Sequence, residues 1–293
     1  MKYNDIAVIG MSLLMPGAEN TDELHDNLAA GKDLVRKVPE SRFRLHGLDP
    51  QKEYIESGYL ENIEMFDNKF FNISDYESKV MSPEQRLSLE LSAKAIEDAG
   101  YALSRFRGKN CGVFFASSNS DGYYNKTKRK TSTSAIGTVK SMITGKIGYY
   151  FDLTGANIVY DTGCSSALVA VHEACIKLMT GEIDYALVGG IHVLSDISES
   201  RPETYDVMGL GASDYRSHSF DASASGVGLG EGGGVVILKR LSDAEKDRDP
   251  VYAVVKSGCV NGDGGRCSSA TIPSVEGQRE VIEKSWNDCP DIL

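Results

Sequence analysis

The sequence is poor in paired cysteines, positive charge and long apolar stretches. Its six cysteines include no CxxC pair, which argues against a disulfide framework and against a zinc site. The net charge of −11 argues against a nucleic acid or an anionic membrane as the main partner. No run approaches the roughly 18 apolar residues that cross a bilayer, and the opening MKYNDIAVIG is typical of a first strand, not of a signal peptide. We therefore predict a cytoplasmic protein without a bound metal.

Short apolar runs such as DIAVIG, CGVFFAS and DYALVGG alternate with helical patterns along the chain. This alternation predicts an α/β fold with helices on both faces of a sheet. No linker is rich enough in polar residues to mark an independent second domain. The segment 32–71 has weak periodicity and is predicted to be rich in loops, and SDAEKDRDP, residues 242–250, is predicted to be a polar turn.

Two helices stand out. In SPEQRLSLELSAKAIEDAG, Ser82 is predicted to cap the helix, Pro83 to take its first position and Gln85 to complete a capping box. The second is predicted from about 165 to 179. Because its sequence is apolar nearly all the way round, we expect it to run through the protein interior.

A cysteine lies where a strand gives way to this second helix, in the stretch NIVYDTGCSSALVAVHEACIKLM. The positive end of the helix favours a thiolate at Cys164, and the sharp turn pushes its side chain outward. The small neighbours leave room for a substrate carbonyl, and the backbone N–H of Cys164 can help hold an oxyanion. These features predict that Cys164 is a nucleophile; the alternative is a buried structural cysteine, which is the role predicted for Cys175.

Several long motifs give the chain a family resemblance. VYDTGCSSALVAVHEACIKLMTGEIDYALVGGIHV resembles the active-site region of the β-ketoacyl synthases, specifically the ketosynthases of modular type I polyketide synthases. IAVIGMSLLMPGA, SHSFDASASGVGLGEGGGVVILKRLSDA and VNGDG match the same family in its order. The resemblance implies a thiolase fold, a five-layer αβαβα sandwich that is normally dimeric. It also implies that Cys164 accepts an acyl chain from a carrier-protein or coenzyme A thioester, with phosphopantetheine carried by the substrate and no cofactor of the protein's own.

The family's two catalytic histidines, its lysine and its glycine-rich oxyanion segment lie C-terminal to the matched region and are absent from these 293 residues. We therefore predict an N-terminal ketosynthase portion over 1–293, incomplete at the C-terminus. It would consist of an N-terminal thiolase-like half to about 240 and the start of the C-terminal half at 250–293. Smaller departures are Gly163 where the family usually has Ala, Ala156 for Pro, and Lys146 for Arg.

The leading hypothesis is a split enzyme in a homo- or hetero-oligomer. A complementary C-terminal ketosynthase polypeptide would supply the histidines, and the pair would perform decarboxylative Claisen condensation with an acyl carrier protein as partner. One alternative is an acyl transferase that loads Cys164 and never condenses. Another is a non-catalytic scaffold that docks carrier proteins or stabilises a partner ketosynthase, and a truncated or degenerate gene is a third.

Other candidates are weaker. The five histidines are predicted to be ordinary residues: His172 is eight positions, about 12 Å by helical rise, from Cys164, whereas His192 follows a strand and could come nearer.

A GxGxxG match at 228–233 precedes a strand and not a helix, so it predicts close chain crossing or a pocket entrance and no dinucleotide site. Phe220 and Asp221 match a family segment near the entrance, with a structural or gating role. NKTKRKTS, 125–132, is either a solvated loop or a docking patch for an acidic carrier protein.

Overall fold

The computed structural model describes residues 5–117, 131–194, 197, 211–269 and 272–287. Their centre is one six-stranded mixed sheet in the order β3-β2-β4-β5-β1-β6. Strands β3, β2 and β4 run parallel, and the other neighbouring pairs are antiparallel. The strands are β1 (Ile6–Leu14), β2 (Cys111–Ser117), β3 (Asn157–Tyr160), β4 (Tyr185–His192), β5 (Gly232–Arg240) and β6 (Ala253–Val255).

Helices connect and cover these strands, as the alternating pattern predicts. Those in the described ranges are α1 (Thr21–Ala29), α2 (Glu40–His46), α3 (Asp75–Val80), α4 (Pro83–Asp98), α5 (Leu103–Phe106), α6 (Ser132–Ile136), α7 (Ser141–Tyr150), α8 (Ser166–Met179), α9 (Leu241–Asp247) and α10 (Val275–Asn287). The polar turn predicted at 242–250 is wrong over its first part, because α9 occupies it. Ala244 is buried while charged neighbours reach solvent, and Arg248 ends the helix in the left-handed region.

Helix α4 packs on one face of the sheet and begins as predicted at Ser82, whose hydroxyl accepts the N–H of Gln85. The predicted capping box is wrong. The Gln85 side chain donates to the carbonyls of Ile136 and Val139, at 3.1 and 3.2 Å, and does not turn back to its own helix end. The Gln85 amide, which the local sequence pattern assigned to the helix cap, therefore makes a tertiary contact instead.

Helix α8 covers the opposite face, so the described residues form three layers. Ala170, Ala174 and Cys175 pack against Phe114 and Val188 of the sheet. Cys175 is fully buried, as its structural interpretation requires. The prediction that α8 runs through the interior is wrong for the described residues, because only one side of it is covered and Leu168 is 77% exposed.

The loop-rich segment 32–71 is confirmed, with α2 as a short helix inside it. A buried ion pair fastens this segment to the start of β5: Arg42 contacts Glu231, and both side chains are fully buried. The Glu231 carboxylate also accepts the N–H groups of Leu60 and Leu194, each at 2.8 Å. This carboxylate thus joins the loop-rich segment to the chain just beyond the end of β4.

Candidate active site

Cys164 lies in the turn between β3 and α8, two residues before the helix begins, and it is exposed to solvent. Because β3, β2 and β4 are parallel, their carboxyl ends meet at this edge of the sheet, where open α/β sheets commonly bind ligands. The sequence-based expectation of an outward-facing cysteine at the helix N-terminus is thus met in position and exposure. Its chemical role stays a prediction.

The two serines that follow Cys164 hold its turn. The Ser166 hydroxyl accepts the N–H of Thr162 at 2.8 Å and donates to the carbonyl of Gly163 at 2.7 Å. The Ser165 hydroxyl donates to the carbonyl of Thr162 at 2.9 Å. The sequence suggested only that these residues are small; the structure shows that they also fix the backbone on both sides of the thiol.

A carboxylate stands close to the thiol in sequence, and its charge is paired. Lys140 Nζ donates to Asp161 at 2.8 Å, and this hydrogen bond holds the pKa of Asp161 below its usual value. Asp161 is therefore ionised at neutral pH, and its charge is paired with that of Lys140 next to the turn that carries Cys164.

Gly163 adopts a left-handed backbone conformation, with φ of 66°. A Cβ atom there would meet nothing within 4 Å, so the backbone angle alone favours glycine. We expect Gly163→Ala to lower the free energy of unfolding by about 1–2 kcal/mol because alanine is strained in this region. Urea unfolding measures the change.

Gly262→Ala is the matched control for this substitution, because Gly262 also has open space around its Cβ position but lies outside the left-handed region. Equal unfolding free energies for the two variants would contradict the backbone explanation.

A shallow apolar groove of about 320 Å³ runs between α8 and the sheet. It begins beside Ala167, one helical turn after Cys164, and extends over β4 and β5. The groove can receive either an acyl chain or apolar side chains from a further layer. Its lining includes Ala167, Val171, Val188, Gly190, Gly234 and Val236.

The family profile described as Beta-ketoacyl synthase, N-terminal domain, matches residues 3–244. The chain belongs to the β-ketoacyl synthase family.

Members of this family resemble the chain in sequence and in structure. Relatives include the PKS-NRPS hybrid synthetase ATPKS of Aspergillus niger, 38% identical over 95% of this chain and 16% of that protein. Polyketide synthase PksL of Bacillus subtilis is 37% identical over 94% of this chain and 6% of its own length. The ketosynthase from module 6 of the bacillaene synthase of Bacillus subtilis superposes with a TM-score of 0.84 at 35% identity, covering 97% of this chain and 48% of that one.

The structural likeness confirms the predicted thiolase-like fold. A second ketosynthase, number twelve of the bacillaene polyketide synthase in Bacillus amyloliquefaciens, gives the same TM-score of 0.84. The chain spans about half the length of these solved ketosynthases. The division predicted near residue 240 stays a prediction.

Two of the smaller departures from the ketosynthase pattern, at 163 and 146, fit their surroundings. Gly163 is suited to its left-handed turn, and Lys146 is buried against the Glu77 carboxylate. Within the described ranges, no group of three His, Cys, Asp or Glu side chains is placed to hold a metal. No described helix is long and apolar enough to cross a membrane.

The glycine-rich stretch leads into β5, as the sequence predicts. A Cβ atom at Gly228 would lie 2.3 Å from the carbonyl oxygen of Tyr215, so two chains do cross closely there. Phe220, in the same loop, is fully exposed with a φ of 66°, and its gating role stays a prediction. The basic residues Lys126, Lys128, Arg129 and Lys130 lie outside the described residues.

The histidines are dispersed. His25 is exposed on α1, His46 ends α2 beside Arg42, and His172 lies within α8. His218 pairs with Asp214 at 2.7 Å, which raises the pKa of the histidine. His192 is the last residue of β4, at the same edge of the sheet as Cys164.

Proposed function

We propose that Cys164 accepts an acyl chain from a carrier-protein thioester and that, joined to a complementary C-terminal ketosynthase half, the protein performs decarboxylative Claisen condensation in polyketide or fatty-acid-type biosynthesis. The observation that carries this proposal is an exposed cysteine at the N-terminus of α8, in the segment that resembles the ketosynthase active site. The substrate carries the phosphopantetheine, so the protein needs no cofactor of its own for loading.

The loading step is a thioester exchange. The Cys164 sulfur attacks the acyl carbonyl carbon, forming a C–S bond and a tetrahedral oxyanion, and the carbon–sulfur bond to the carrier's pantetheine then breaks. The proton leaves Cys164 and ends on the departing thiol. The braced turn at 162–166 supports this chemistry because it holds the nucleophile at the positive end of α8 before substrate arrives.

Condensation needs more groups than these residues supply. Decarboxylation of a malonyl-type thioester requires donors for the enolate oxygen, and losing one such donor typically costs about 10²–10³ in rate. In this proposal the complementary half supplies the missing histidines and the other part of the oxyanion site. The chain alone would therefore load an acyl group without condensing it.

Exposed apolar side chains support a complementary half as the partner. Leu168 of α8 is 77% exposed beside the apolar groove, and α10 exposes Val275, Ile282 and Trp286. Burying such side chains is favourable by about 1.5–3 kcal/mol each. An aliphatic face next to a nucleophile is best covered by another layer of the same fold. We propose that the complementary ketosynthase half supplies this layer.

The assembly can be tested in trans with the C-terminal half of the bacillaene module 6 ketosynthase, expressed as a separate polypeptide. We expect the two halves to co-purify and Leu168→Glu to weaken the complex at least tenfold, because it places a charge in the apolar contact. Leu28→Glu is the control, since Leu28 is similarly exposed, at 71%, but lies on α1. A wild-type chain that stays monomeric beside this half would contradict the assembly proposal.

Product analysis separates the three functions. With an acyl thioester and malonyl carrier protein, a split enzyme forms a β-ketoacyl product in the presence of the second half. A pure acyl transferase gains the acyl mass and forms no such product. A scaffold binds carrier protein without any gain of mass.

An oligomer is also part of the proposal. Strand β3 ends the sheet order, and its first residue, Asn157, is exposed. A sheet edge of this kind can pair with a second copy. Sedimentation of the joined halves would then give a multiple of their combined mass.

A further inference from the structure

His192 of β4 and Cys164 lie at the same edge of the sheet, on the same side of it. We infer that the His192 imidazole accepts the proton of the Cys164 thiol during acyl loading and returns it to the departing thiol. The inference rests on the proposed loading function and concerns how that step handles its proton.

The side of the sheet follows from the alternation of residues along β4. Ala186 and Val188 pack in the cluster with α8, whereas Leu187 and Ile191 pack in the cluster on the opposite face. The register with β5 is unbroken from Ala186 to His192. His192 therefore lies on the α8 face, because successive residues of a strand alternate between faces.

The position of His192 along the sheet follows from a contact at the second residue of α8. A Cβ atom at Gly190 would lie 3.9 Å from the Cβ of Ala167, so the two elements touch there. Because α8 connects two parallel strands, it runs antiparallel to β4. Cys164 lies in the turn just before the N-terminal end of α8, and His192 lies about 6.6 Å beyond Gly190 along the strand. Both residues therefore lie beyond the Gly190–Ala167 contact, toward the same edge of the sheet.

The surroundings fix the backbone of His192. The residue opposite His192 on β5 is Gly232, and the sulfur of Met15 lies where a side chain at Gly232 would be. Two residues beyond His192, the N–H of Leu194 donates to the buried Glu231 carboxylate at 2.8 Å. The end of β4 is therefore anchored while His192 itself remains exposed.

The charge state of the ring suits a proton acceptor. Neighbouring protein atoms shield the exposed imidazole partly from water, and this loss of hydration lowers the pKa of His192, so the ring is neutral at neutral pH. The other histidines fit less well. His172 lies two helical turns along α8 from Cys164, and the hydrogen bond to Asp214 raises the pKa of His218, which favours its charged form.

The proton balance closes without another reactant. The S–H bond of Cys164 breaks as its proton passes to the ring, directly or through one water, and the sulfur forms its bond to the acyl carbon. When the tetrahedral oxyanion collapses, the imidazolium gives that proton to the pantetheine sulfur. The histidine is neutral before and after the exchange.

The test measures the initial rate at which Cys164 gains mass from an acyl N-acetylcysteamine thioester. We expect His192→Asn and His192→Ala to slow loading about 10- to 100-fold, in line with the loss of a general base. Added imidazole should restore at least part of the rate of His192→Ala. His25→Asn, on the exposed face of α1, should load at the wild-type rate.

Two results would overturn the inference: loading by both His192 variants within twofold of wild type, or a slowed His192→Ala that imidazole does not restore. A purely structural role would slow loading without this rescue. If the wild-type chain gains no acyl mass, the proposed loading function fails. The proton role is then decided by the iodoacetamide alkylation rate of Cys164 in the same folded variants, with His192→Gln replacing any variant whose circular dichroism shows loss of fold.

Discussion

Replacing Cys164 by alanine is expected to abolish acyl loading entirely, leaving no gain of mass at that peptide after incubation with an acyl thioester. The expected effect is this large because the substitution removes the sulfur atom that forms the acyl–enzyme bond at this peptide. Two of the other described cysteines, Cys111 and Cys175, are fully buried. Burial also raises the pKa of Cys111 to about 12, so its thiol stays protonated and unreactive. Intact-mass spectrometry followed by peptide mapping measures the result.

Within the described part of the chain, two partly exposed thiols set the background for this measurement. Cys259 and Cys267 reach solvent and are subject to the same chemical acylation as any free thiol. Cys259→Ala and Cys267→Ala should therefore leave the loading of the chain nearly unchanged. Equal loading of Cys164, Cys259 and Cys267 in the wild-type chain would show that the turn before α8 gives no advantage, and the proposed function would then lose its nucleophile.

Local sequence patterns predicted the elements well where the determining contacts are local. Ser82 with Pro83 starts α4 as expected, and Cys164 lies at the strand-to-helix junction that its small neighbours indicate. Two of the errors share one cause. The Gln85 side chain donates to carbonyls more than fifty residues away and does not form the predicted capping box. The exposure of Leu168 depends on whether a further layer covers α8. Neither is encoded in the neighbouring residues.

The candidate site also contains features that the sequence predicted and features that it did not. The nucleophile was visible in the sequence because a cysteine at a helix start is itself a local pattern. For Ser165 and Ser166 the sequence analysis used only the small size of the side chains. It did not predict their hydrogen bonds to the backbone, although serine commonly makes such bonds at turns. The placement of His192 required the register of β4 against β5 and one contact with α8, which no single-sequence pattern provides.

The Arg42–Glu231 pair is the most distant of these connections, at 189 positions apart, and its loss should have the largest effect on stability. Both side chains are fully buried, and burial is the main cause that raises the pKa of Glu231, with Arg42 opposing it. We expect Arg42→Met to lower the free energy of unfolding by about 3–5 kcal/mol at pH 7, because it leaves a buried carboxylate without its cation. Urea unfolding followed by circular dichroism measures this loss.

The same variant should depend on pH in a defined direction. Without Arg42, the pKa of Glu231 in the folded state rises further above its unfolded value, so the folded protein binds a proton that the unfolded chain releases. Stability then falls as pH rises through this window, and the deficit of Arg42→Met should shrink when unfolding is measured at pH 5 instead of pH 7.

Arg266→Met is the control, because Arg266 pairs with Glu280 on the surface and should cost at most about 1 kcal/mol at either pH. An Arg42→Met deficit no larger than that of the control, or one that grows at pH 5, would mean that Glu231 does not depend on Arg42 for its charge. The joint between the loop-rich segment and the end of β4 would then rest on the two backbone hydrogen bonds to Leu60 and Leu194 alone.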